Sequence, residues 1–122
     1  MRIGAIIVLC ASLTGCSSSD ITNPDQIVFP ASKVSYRLHV APYLQLSCNI
    51  TGCHDAARSA NLGIDLTSRI GVLSNNVTTP KDTNSPLVGV LYARYAHSGQ
   101  FRSNENQRNG IKVWVLEGAQ DN

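Results

Sequence analysis

Methionine occurs once in this chain of 122 residues, at its first position. Aromatic residues are scarce: one Trp, four Tyr and two Phe. A core built from such side chains alone is thin, and domains this small often lean on a disulfide, a metal or a cofactor. Charge of one sign is lacking too. Ten Lys and Arg face eight Asp and Glu, and no basic cluster stands out, which argues against a nucleic-acid binder. The apolar run near the start covers residues 3–13, well short of the roughly 20 residues that span a bilayer. There is no internal repeat and no alternating strand pattern. The length leaves room for one small domain and excludes a large multidomain enzyme. With 43% hydrophobic and 15% charged residues, the composition is not that of a disordered chain.

What is present begins with a leader. Met1-Arg2 gives a positive start, residues 3–13 an apolar stretch, and the segment reads as a secretory signal peptide. It ends in Leu13-Thr14-Gly15-Cys16, which resembles the bacterial lipobox. The resemblance implies cleavage after Gly15 and a lipid on Cys16, with Ser17 favouring the outer membrane. A secreted protein cleaved nearby, or an uncleaved anchor, is the competing reading. The expected organisation is a signal peptide over 1–15, a lipidated cysteine and flexible tether over 16–32, and a domain over 33–122. Within the tether, the apolar Ile27-Val28-Phe29 could dock on the domain. Of the four cysteines, Cys10 leaves with the leader and Cys16 carries lipid. Cys48 and Cys53 remain, outside the cytoplasm, where they can be oxidised or cross-linked.

The domain reads as all-α. Ser32 can cap a helix carrying Val34, Leu38 and Ala41 on one face, and Pro42 should kink or restart it. Residues 54–84 look irregular, with a short helix around 66–73. Ser85-Pro86 reads as a cap and first helical residue. The helix it opens carries a buried stripe from Leu87 through Val90 and Leu91 to Tyr95, with Gly99 as its stop. Ser103 can cap a last helix, with Glu105 in its first turn and Ile111, Trp114 and Val115 on its apolar face. Gly118 ends it.

The segment Cys48-Asn49-Ile50-Thr51-Gly52-Cys53-His54 carries chemistry. Two cysteines with a histidine directly after the second is the arrangement that attaches c-type haem. Each thiol adds to a vinyl group, and the histidine is thereby held under the iron as its proximal ligand. The gap here is four residues where two is usual, and Gly52 would help the longer loop turn. Three other readings stand beside this one. The cysteines could form a disulfide, they could hold zinc with His54 and a second histidine, or they could be unpaired.

The surrounding chain adds a resemblance. Val40-Ala41-Pro42-Tyr43-Leu44 is similar to the segment before the haem motif in small bacterial cytochrome c domains of the planctomycete type. Asn61-Leu62-Gly63-Ile64-Asp65-Leu66-Thr67-Ser68, Ser85-Pro86-Leu87 and Trp114-Val115-Leu116-Glu117-Gly118-Ala119 resemble three later motifs of that family, in order. The matches cover about residues 34–119. The resemblance implies a cytochrome c-like fold, with first and last helices packed together around one covalent haem c. It places Trp114 at that helix contact or near the haem edge. It assigns Cys48 and Cys53 to attachment and His54 to the iron.

The family commonly supplies a methionine as the other axial ligand. Here none remains once Met1 is removed, so the imidazoles left are His39 and His97. His97, at the end of the third helix, is the expected distal ligand; His39 on the first helix is the second choice. The expectation is an electron carrier rather than an enzyme. It would be held to the membrane by its lipid in the cell envelope, and would serve redox partner proteins with no small-molecule substrate. The alternatives are a haem-free, disulfide-stapled envelope lipoprotein, and a five-coordinate haem sensor or peroxidase.

Overall fold

A computed structural model describes residues 20–57, 62–74, 76–97 and 103–122, and among these the chain is helical with no strand. The leader, Cys16 and Gly99 lie outside the described residues. Four α-helices are named here: α1 (Ala41–Ser47), α2 (Arg69–Leu73), α3 (Pro86–Leu91) and α4 (Glu105–Leu116). A 3-10 turn at Pro24–Gln26 and a π-helical turn at Tyr36–Val40 precede them.

Pro42 shapes the first helical segment. It has no N–H, so it cannot bond back along the chain. Just before it the ladder widens: the amides of Val40 and Ala41 bond five residues back, to the carbonyls of Ser35 and Tyr36. The regular helix α1 starts only after this π-turn, which is how the expected restart is built. The cap is Ser35 rather than Ser32; its hydroxyl accepts from the Leu38 amide at 3.1 Å.

The third helix is shorter than expected. It closes at Leu91, where the Tyr92 amide bonds the Val88 carbonyl. Ala93 then takes φ +54, and the Arg94 amide reaches the Gly89 carbonyl at 2.8 Å. A left-handed residue is the usual way a helix ends, and here alanine fills that place well before Gly99. Tyr95 therefore leaves the buried stripe and is half exposed. Ser85 precedes Pro86 as expected, yet its hydroxyl does not cap α3. It donates to the Asp82 carbonyl and accepts from the Thr79 amide at 2.8 Å.

The last helix is capped one residue later than expected. Asn104 and Gln107 exchange side-chain-to-backbone bonds in a capping box, satisfying two amides that would otherwise lack partners. Gly118, at φ +100, ends the helix. Ile111, Trp114 and Val115 are fully buried on one face. The Trp114 ring lies 5.6 Å from Tyr36 of the π-turn, so the start and end of the domain meet there.

Chain from inside the expected tether packs on α4. Ile27 and Phe29 are buried. Asn106 accepts from the Phe29 amide at 2.8 Å and donates to the Phe29 carbonyl at 2.9 Å. The Phe29 ring lies directly on Gly110, where a Cβ would overlap it. Glu117 accepts from the amides of Lys33 and Val34. The C-terminal Asn122 accepts from the Tyr36 and Arg37 amides and the Ser35 hydroxyl. Packed structure thus reaches back into the 16–32 segment, and residues 33–37 are tied to Glu117 and Asn122.

Candidate functional site

An apolar cleft lies between the Cys48–His54 loop, the 64–66 segment and α3. Ile64, Leu66, Val77, Leu87, Val90 and Leu91 form its walls, and Cys48, Cys53, His54 and His97 line it. It is open to solvent on one side. Its few polar groups converge while its walls are hydrocarbon, the usual composition of ligand and cofactor sites.

The loop itself is closely folded. Cys48 follows α1 directly, and its amide bonds the Leu44 carbonyl at 2.8 Å. The Cys53 amide bonds the Ile50 carbonyl at 3.0 Å, closing a tight turn. Gly52 sits third in that turn at φ +84, the position where a type II turn needs a left-handed residue. The Gly52 amide also donates to the Asp55 carboxylate. The His54 amide bonds the Cys48 carbonyl at 3.0 Å. The longer gap is thus absorbed by a turn, and the backbone of the first cysteine stays beside that of the histidine.

One further bond joins this loop to the 64–66 segment: the Asn49 side-chain amide donates to the Leu66 carbonyl at 2.9 Å. The Ile64 carbonyl acts on the His54 imidazole from the same segment. Burial first, and then the neighbouring His97, hold the His54 imidazole below its ordinary pKa, while the Ile64 carbonyl opposes them. Cys48 and Cys53 stand as separate thiols. Burial, with Cys53 adding to it, pushes the Cys48 thiol up to about 12.

The rings of His54 and His97 are 6.0 Å apart, centroid to centroid, and tilted by 34°. The two thiols on one stretch and the two imidazoles lining the same apolar cleft are the donor types that hold a covalent haem. Among the described residues, no three His, Cys, Asp or Glu side chains gather as a cage for a bare metal ion.

His39 is elsewhere. Its Nδ1 accepts from the Ser35 amide at 3.0 Å, and its ring lies 5.7 Å from Phe29, so its place is in the packing of the first turn and not in the cleft. Trp114 does not line the cleft either; of the two places expected for it, it occupies the helix contact. Sequence reasoning passed over the Ile64 carbonyl, the Asn49 tie and Gly89 beneath Tyr95. A backbone acceptor leaves no residue-type signal. An Asn inside the motif and a glycine inside a helical stretch were visible, though neither announces its partner.

Among known families, curated proteins and solved structures, none matches this chain.

Proposed function

We propose that the chain is a lipid-anchored, monohaem c-type cytochrome of the bacterial cell envelope, with a cytochrome c-like fold, that passes single electrons between partner proteins. The observation that carries this reading is the convergence of Cys48, Cys53, His54 and His97 on one apolar cleft, with the imidazoles 6.0 Å apart. Haem, when bound, supplies a one-electron iron couple. The chain's own residues do the rest. Cys48 and Cys53 would hold the group through thioethers, and His54 and His97 would be its imidazole ligands. The leucine, isoleucine and valine walls give the group a largely apolar surrounding.

With both imidazoles as ligands the metal would have no open position, which favours an electron carrier over an enzyme or sensor. Imidazole in place of the family's methionine also implies a lower potential than a His/Met site. The test is expression in a periplasm with c-type maturation machinery, comparing wild type with the Cys48→Ser/Cys53→Ser double variant. Wild type should keep haem mass on the denatured chain and the double variant should not. Equal, haem-free masses beside a matured control cytochrome would overturn the reading and favour the disulfide-stapled lipoprotein.

A further inference from the structure

Beyond α3 the chain is guided to His97 by two contacts that touch neither imidazole. The first is a seat. Gly89 is buried in α3, and the ring of Tyr95 lies where a Cβ would stand. The second is a clamp. The Arg94 guanidinium donates to the Thr83 carbonyl at 2.6 Å and to the Asn84 side chain at 3.2 Å. Tyr95 precedes His97 by two residues, a stretch that spans at most about 7 Å. Fixing the Tyr95 ring on α3 therefore limits where the His97 ring can lie.

Tyr95 is half exposed, so its ring adds little to the core. Its hydroxyl is 3.4 Å from the Asn84 carbonyl, too long to contribute much. What the ring does do is fill the gap left by a glycine, and in doing so it sets the path of the chain after α3. We infer that the Tyr95 ring, seated on Gly89, is the positioning element that holds His97 opposite His54. This inference rests on the cytochrome reading. Without the seat, His97 would spend part of its time away from the metal and leave a position open to an exogenous ligand.

The experiment is carbon monoxide titration of the reduced, haem-loaded protein, with its visible spectrum, for wild type, Tyr95→Ala, Tyr95→Phe and Gly89→Ala. Wild type and Tyr95→Phe should be low-spin and bind carbon monoxide alike. Tyr95→Ala and Gly89→Ala should gain a high-spin fraction and bind it about tenfold more tightly, because apparent affinity follows the fraction of open sites. Alanine is a better helix former than glycine, so ligand loss in Gly89→Ala does not reflect a weakened helix. In a His97→Ala background, Tyr95→Ala should add nothing, since coupled effects do not sum. Wild-type spectra and affinities in Tyr95→Ala would overturn the inference, as would an undiminished effect of Tyr95→Ala without His97. Either result would leave the cytochrome reading in place. A wild type with no covalent haem would remove that reading first and this inference with it.

Discussion

The His54 backbone is held by the Cys48 carbonyl, and its ring is partly buried beside His97 in the cleft. That position lowers its pKa. The ordinary value is 6.5, and burial and His97 place the folded value lower. Between the two values the unfolded chain binds more protons than the folded one, so stability falls as pH drops through that window. Haem-free protein should therefore lose stability to urea as pH falls through and below 6.5, and His54→Ala should flatten that dependence. Equal slopes in the two proteins would contradict the assignment. His97→Ala is the matching test on the other side of the cleft. It should convert a low-spin spectrum to high-spin and admit carbon monoxide; an unchanged low-spin spectrum would remove His97 as ligand. At this scale the sequence was informative where chemistry depends on residue type. Adjacency singled out Cys48, Cys53 and His54, and its place after the third helix singled out His97 over His39 once methionine was absent. The Ile64 carbonyl could not be singled out, because every residue carries one.

The helices were legible in kind and less so in extent. Ser85-Pro86 marked the start of α3 and Gly118 the end of α4, since proline and glycine constrain φ directly. The end of α3 was missed because Ala93, a strong helix former, takes the left-handed conformation there. The π-turn before Pro42 was legible as a break, while its five-residue bonding was not. The docking of residues 27–34 on α4 depends on a glycine as well as on apolar residues. Gly110 leaves room for the Phe29 ring, so Gly110→Leu should displace it and cost about 1–3 kcal/mol, the usual scale for overpacking. Asn106→Ala removes both its bonds to Phe29 and should cost about 1–3 kcal/mol. Urea denaturation of each variant checks both values. Wild-type midpoints would mean that this segment rests on the helix without stabilising it.

Across the whole molecule, the N-terminal segment and the C-terminal tail close on the same end of the domain. Glu117 takes the Lys33 and Val34 amides, and Asn122 takes those of Tyr36 and Arg37. The cleft is left to the loop, the 64–66 segment and α3. Among the described residues no helix is long and apolar enough to cross a membrane. The proposed membrane attachment is the lipid on Cys16. Cys16→Ser should move the protein from the detergent phase to the aqueous phase on partitioning, and a variant that stays with detergent would contradict the lipid anchor. The all-α class was legible from helix signals without strand alternation. The pairing of the two ends was not, because it runs through backbone groups far apart in sequence.

The most direct measurement is a pyridine haemochrome assay on the denatured, purified protein, with its reduced-minus-oxidised spectrum taken beforehand. The account predicts one haem per chain, retained through denaturation, and a low-spin six-coordinate spectrum in the native state. A colourless chain, from cells that mature a control cytochrome, would contradict it.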